Sequence, residues 1–402
     1  MNAAPYRIAW ADDPTSLPAI EWDRLVADDP HGNVFLSHAY LCALHESASA
    51  VPRTGWGPQW LTLWAHEGAG ERLAAAVPLY LKGHSYGEYV FDWSWAEALE
   101  RLGMAYYPKL LVAVPFTPVE GSRILAADEH ARDAAAGALL DFARRQGLSS
   151  LHVIFAPREQ VERLGRKGML LREGLQFHWS NRGYADFDAF LAALAQPKRK
   201  KIRAERRKVA EAGVTLDRRV GPQITRTDWN FFLRCYENTY AEHGSSPYLN
   251  LDFFLRLART MPQCMMLVRA HRGGRAIASA LGIFDRERSA LYGRYWGAIE
   301  TVSCLHFECC YYQMIEFAIE QGLRDFEGGA QGAHKLARGL DPVPTYSAHW
   351  IREPALREAV ERFLERERGA VRETIEEFHE HRAVKTALTP GPSRAGAGEG
   401  SS

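Results

Sequence analysis

Apolar and polar positions along the chain fall into short alternating runs separated by longer stretches of helical period. Tyr6 to Trp10 predicts a strand, Trp22 to Val26 a helical stretch, and SHAYLCALHESA a second helix with Ser37 as its N-cap. QWLTLWAHEG and RLAAAVPLYLKG predict two strands joined by a turn at Gly68 and Gly70, and GEYVFDW predicts a third. A helical insert over Ala96 to Leu102 precedes YYPKLLVAVPFTPVEGSRIL, a strand closed by a proline-punctuated loop. Ala131 to Gln146 is amphipathic, and SLHVIF follows it as a buried strand. Alternation of this kind is an α/β pattern.

The second half repeats the plan. LDFARRQGL at Leu140 to Leu148 reappears as IEFAIEQGL at Ile315 to Leu323, an offset of 175 residues, and a β-like segment follows each copy. Upstream, AHEGAGERLAAAVPLY at Ala65 to Tyr80 resembles AHRGGRAIASALGIF at Ala270 to Phe284, an offset of 205 residues. Two matches in the same order imply two copies of one α/β unit. The first copy then carries about 30 extra residues, the size of the insert around Glu97 to Arg123.

Between the copies lies PKRKKIRAERRKVAEAG, in which eight cations from Lys198 to Lys208 surround the single acidic residue Glu205. Ile202 and Val209, seven apart, predict a helix docked by one narrow edge. Such a helix is either a polyphosphate- or RNA-binding face or a solvated linker. Near the C-terminus Leu356, Val360, Phe363, Val371, Ile375 and Phe378 share one face of a helix over Pro354 to Arg382, with Gly369 as an expected interruption. The tail from Thr389 has no large apolar residue and is expected to be disordered.

Composition narrows the function. Charges balance at 49 against 49, so no global field selects nucleic acid or membrane. No stretch approaches 18 consecutive apolar residues and the acidic N-terminus reads as neither signal nor transit peptide, so a cytoplasmic enzyme is expected. None of the six cysteines forms a C-x-x-C pair, so no metal is expected; Cys309, with His306 three residues earlier, is the candidate thiol nucleophile.

The chemistry converges on Phe326 to Trp350. Gly328, Gly329 and Gly332, with Gln331 among them, follow a short β-like segment, and His334, Lys335 and Arg338 come next. Glycines let backbone N–H groups turn toward an anion, and the following cations add charge, as a phosphate-bearing cofactor needs. Lys335 and Arg338, three apart, share a face if their segment is a helical turn.

YYPKLLVAVPFTP, KRKKIRAERRKVAEAGV, ENTYAEHGSSPYLNLDFF and LHFECCYYQMIEFAIEQGLRDFEGGAQGAHKLARGLDP together resemble the FemAB-like branch of the GNAT acyltransferase superfamily, over about Trp22 to Phe378. The resemblance implies an α/β (α+β) fold: an N-terminal GNAT-like domain over 1–195, a basic helical linker over 196–213, a C-terminal GNAT-like domain over 214–352, a helix over 353–388 and a tail over 389–402. It implies transfer of an acyl or aminoacyl group to an amine, with acyl-CoA or aminoacyl-tRNA as donor. A cell-wall-precursor amine is the implied acceptor, and the Lys198 to Lys208 helix the implied tRNA contact. The usual pyrophosphate turn is absent at its expected place, where GAIETVSCL stands over Gly297 to Leu305.

By the same likeness an oxyanion donor is expected from backbone N–H groups in Tyr292 to Trp296, with Arg294 and Trp296 beside the substrate. Glu327 is the expected base, Glu308 a second candidate, and Tyr311 or Tyr312 the acid. Tyr240, His243 and Tyr248 are the acceptor-side candidates. A binding module that kept the fold and lost its donor site is the alternative from another class.

Overall fold

The structure, a computed structural model, describes residues 6–68, 70–329, 332–380 and 383. Gln331 and the tail from Thr389 lie outside these residues. The first half contributes β1 (Tyr6–Ala11), β2 (Trp56–Pro58), β3 (Trp60–Glu67), β4 (Gly70–Val77), β5 (Leu79–Lys82), β6 (Lys109–Val112), β7 (Leu125–Ala126), β8 (Ser150–Ile154) and β9 (Leu170–Ser180). The second contributes β10 (Val214–Val220), β11 (Met265–Arg272), β12 (Arg275–Asp285), β13 (Ala290–Ala298), β14 (Asp325–Glu327) and β15 (Asp341–Ile351). Strands β1, β3, β4 and β7 form a small sheet, and the other eleven run β10-β11-β12-β13-β14-β9-β15-β8-β6-β5-β2.

In both halves an antiparallel meander is followed by one parallel step, β6 against β8 and β13 against β14. A parallel step needs a crossover, and a helix supplies it each time: Glu129–Arg145 before β8, and Gln313–Glu320 before β14. The two matched nonapeptides end these helices, and the two matched hairpins are β3–β4 and β11–β12. The halves then exchange their last strands. β9 pairs with β14 of the second half, β15 pairs with β8 of the first, and β9 and β15 pair with each other.

Two cores lie on opposite faces of the second-half sheet. One joins Trp22, Phe35 and Tyr40 of the first half to Trp229, Phe232 and Phe254 of the second. The other holds Tyr311, Met314 and Phe317 behind β12 and β13, closed by Ile202 and Val209 of the basic helix Gln196–Glu211. Ser37 caps the helix His38–Glu46, its hydroxyl accepting from the Tyr40 N–H.

Two expectations need correction. GEYVFDW is a loop, because Glu88 and Asp92 turn inward onto the buried ammonium of Lys109, at 2.8 and 2.5 Å, instead of alternating across a sheet. The C-terminal helix runs unbroken through Gly369 from Pro354 to Glu380, and Leu364 is buried where Phe363 stays exposed.

Candidate functional site

Strand β14 has three residues, so it pairs with β13 only from Ala290 to Tyr292, and the two diverge beyond. Against β12 the register of β13 places Gly282 opposite Gly293 and Leu281 opposite Tyr295, leaving Arg294 as a bulge. A bulge takes a residue's backbone out of the ladder and re-aims the side chains around it. The N–H expected to face a reacting oxygen lies in this stretch.

Cavities open on both sides of the gap. One of about 360 Å³ is lined by Tyr236, Thr239 and Tyr240 of the helix Arg226–Glu242, by His243 and Ser245 after it, and by Tyr89 and Pro118 from the first half. The other, about 110 Å³, is lined by His306, Cys310, Tyr311 and Met314 on the opposite core. Gly293 to Trp296 and Gly329 line both. The diverging strand ends are therefore a shared wall.

Arg294 sits in that wall. Its Nη2 donates to the Phe116 carbonyl at 2.7 Å, its guanidinium lies 5.3 Å from the Phe35 ring centre, and its Nε has no hydrogen-bond partner. Among the described residues no carboxylate forms an ion pair with it. Such a cation is suited to an anionic or oxyanionic group.

The acceptor-side candidates come together. His243 Nδ1 is 2.7 Å from the Thr239 carbonyl, which only accepts, so Nδ1 carries the proton and Nε2 presents its lone pair. Burial pushes the Tyr240 phenol up to about 12, keeping it neutral. Tyr248 packs edge-on to Tyr240 and stacks on Phe116, with ring centres 4.8 Å apart in the stack. The Trp296 carbonyl accepts from Thr239 Oγ1 at 3.0 Å.

The glycine-rich turn is held from within. Gly329 and Gly332 have φ of +88° and +118°, which side-chain-bearing residues rarely adopt. Lys335 is buried and donates to the Gly329 carbonyl at 2.7 Å; burial lowers its pKa to about 8. Arg338 follows on the same 3-10 turn, Ala333–Arg338, and its Nη2 reaches both Glu205 oxygens at 2.9 Å. Tyr312 also donates to Glu205, and Arg338 lies 3.4 Å over the Phe307 ring. Of the cations expected to grip phosphate, Lys335 thus ties the loop to itself and Arg338 fastens it to the basic helix. Gly328 lines the smaller cavity, and His334 Nε2 meets the Tyr311 hydroxyl at 3.1 Å.

The structure separates the two carboxylates from this wall. Glu308 is buried against Arg206 at 3.1 Å and Gln313 at 2.9 Å, facing the basic helix. Glu327 lines a different cavity, with Glu120, His178 and Tyr292. Cys309 is fully buried, which raises its thiol well above the ordinary value and leaves no reactive thiolate. Among the described residues no group of His, Cys, Asp and Glu is placed to hold a metal ion, and no helix is long and apolar enough to cross a membrane.

On the basic helix Lys200, Lys201, Arg207 and Lys208 are exposed. Arg338 of the glycine-rich turn pairs with Glu205 of this helix, so the helix lies beside the turn.

Residues 13–386 match the FemAB-like family, described as peptidoglycan biosynthesis/recognition. The chain belongs to the FemAB-like family. No curated protein sequence matches it. Among solved structures this FemAB-like chain resembles L-PGS from Bacillus licheniformis at 11% identity and a TM-score of 0.51, covering 88% of this chain and 98% of that one. It also resembles the C-terminal domain of a provisionally named lysylphosphatidylglycerol synthetase from Agrobacterium fabrum, at 10% identity, TM-score 0.50 and coverage of 85% and 94%. A tandem GNAT protein from the clavulanic acid pathway matches at 11% identity, TM-score 0.44 and coverage of 87% and 99%. The chain shares its mixed α/β fold with the L-PGS structure and with the Agrobacterium fabrum domain.

Sequence reasoning missed Tyr89 and Pro118, which only the docking of the halves brings to the cavity. Tyr236 was missed as well, although it stands four residues before Tyr240 and seven before His243, a spacing that places the three on one face.

Proposed function

We propose that the chain is an N-acyltransferase whose activated donor enters the smaller cavity and whose amine acceptor occupies the larger one. The observation that carries this is the shared wall: Gly293 to Trp296 and Gly329 line both cavities where β13 and β14 part. The amine nitrogen attacks the donor carbonyl at the gap. Backbone N–H at the Arg294 bulge stabilises the oxyanion, and His243 Nε2 takes the amine proton. Tyr311, on the donor side with a phenol raised by burial, gives its proton to the leaving oxygen or sulfur.

The exposed lysines of the Gln196–Glu211 helix, beside the glycine-rich turn, favour aminoacyl-tRNA over acyl-CoA as donor. The family description, peptidoglycan biosynthesis/recognition, favours a cell-wall precursor as the source of the acceptor amine, and a cytoplasmic setting is part of the same proposal. The test is discharge of acetyl-CoA and of aminoacyl-tRNA in the presence of such amines. His243→Ala is expected to lower the rate about 10²- to 10⁴-fold with donor binding intact. Equal rates would remove His243 as base, and no discharge by the native protein would favour a binding module.

A further inference from the structure

Among the described residues Arg294 is the one arginine or lysine lining the larger cavity, and no carboxylate lines it. Contacts on one side fix its guanidinium. Nη2 donates to the Phe116 carbonyl at 2.7 Å, the Tyr295 hydroxyl donates to the same carbonyl at 3.3 Å, and Nη2 is 3.4 Å from that hydroxyl. The ring centres of Phe35 and Tyr295 lie 5.3 and 5.2 Å from it. Phe35, Phe116 and Tyr295 all belong to the core that also holds Tyr236, Tyr240 and Tyr248. The side chain therefore turns toward the acceptor cavity and away from the smaller one.

Its charge has no counterpart. Nε is shut from water without a hydrogen-bond partner, whereas Nη1 is not shut in and makes no hydrogen bond among the described residues. Glu327, whose charge Arg294 influences, lines a separate cavity and forms no ion pair with it. Keeping a guanidinium among neutral partners only is costly, and the cost is removed by an anion that reaches it. Tyr89 lines the same cavity from the first half. Its φ is +63°, an outlier for an aromatic residue, and its hydroxyl makes no hydrogen bond among the described residues. Burial raises that phenol well above its ordinary value, so it keeps its proton and can donate it.

We propose that the acceptor is an amine that also carries a carboxylate, as an amino acid does, with the carboxylate paired to Arg294 and hydrogen-bonded by the Tyr89 hydroxyl. A single cation matches the single charge of a carboxylate better than the double charge of a phosphate monoester. The aliphatic part lies along Tyr236 and Tyr240, whose rings are 4.9 Å apart, and the amine meets His243 Nε2. The placing of the amine rests on the acyl-transfer reading; the carboxylate site rests on Arg294 alone.

The test follows the thermal unfolding midpoint of the full chain, with no donor present, against L-lysine and L-leucine, each compared with its amide at equal chloride concentration. A saturable rise is expected with at least one acid, and its amide should bind about 10- to 100-fold more weakly, the loss of a hydrogen-bonded charge. Arg294→Gln should abolish the preference for the acid, and Tyr89→Phe should reduce it. No rise with either acid, amides that bind as well as the acids, or a preference untouched by Arg294→Gln would overturn the proposal. Arg294→Gln also gives up the Phe116 contact, so the native protein's choice between acid and amide stands as a test by itself. Preferred binding of the acid by a protein that transfers no acyl group would uphold the carboxylate site and sink the acyl-transfer reading. Transfer onto lysinamide as fast as onto lysine would do the reverse.

Discussion

Arg338 and Glu205 show how one buried contact decides what a motif does. Both are buried, and Arg338 also covers the Phe307 ring. Arg338→Ala leaves Glu205 without its cation, so it is expected to cost about 3 to 5 kcal/mol in urea unfolding. A loss under about 1 kcal/mol would mean the pair is not formed. Glu327 carries a pH signature of its own. Its folded pKa of about 8 lies above the ordinary 4.5, so between these values the folded state binds more protons than the unfolded chain. Stability therefore falls as pH rises through that window, and Glu327→Gln should flatten the slope. His178, held near 4 against an ordinary 6.5, works oppositely below 6.5, and Glu88 and Glu120 near 7, Lys82 near 7 and Lys335 near 8 also titrate above it, so the Glu327 contribution is read as the difference between the native and Glu327→Gln slopes from pH 6.5 to 8. Midpoints measured from pH 6.5 to 9 check this; identical slopes would contradict it.

At the scale of elements, the helix Arg226–Glu242 forms the acceptor wall because Gly297 lets it approach β13. A Cβ at Gly297 would stand 1.8 Å from the Cys235 carbonyl oxygen. Gly297→Ala must push the helix away, costing about 1 to 3 kcal/mol by overpacking and displacing Tyr240 and His243. Acceptor KM should rise more than donor KM changes, as initial rates would show. Much at this scale was legible in the sequence. The hairpins at Gly68 and Gly273, the Ser37 cap and the Ile202–Val209 edge follow from local pattern. GEYVFDW was not, because burying Glu88 and Asp92 on Lys109 is a tertiary event that overrides β-propensity. The glycine-rich turn was placed correctly after a short strand, but spacing could not reveal that Lys335 and Arg338 point inward to Gly329 and Glu205.

For the whole molecule, the exchange of β9 and β15 is decisive and left no mark on the sequence. Each half completes its sheet with the other's last strand, so neither keeps an independent core edge. Unfolding is expected as one transition, with far-UV dichroism and tryptophan fluorescence coincident; two separated transitions would contradict the exchange. The same arrangement sets first-half Tyr89 and Pro118 over a cleft built by the second half. The claim that donor and acceptor meet across the β13–β14 gap is tested most directly by calorimetric titration of acetyl-CoA and of aminoacyl-tRNA. The protein is taken in native form and with Cys310→Phe, which fills the smaller cavity, its folding checked by dichroism. One donor should bind the native protein and lose at least tenfold in affinity in the variant. Absence of binding to the native protein, or equal binding to both, would contradict the account.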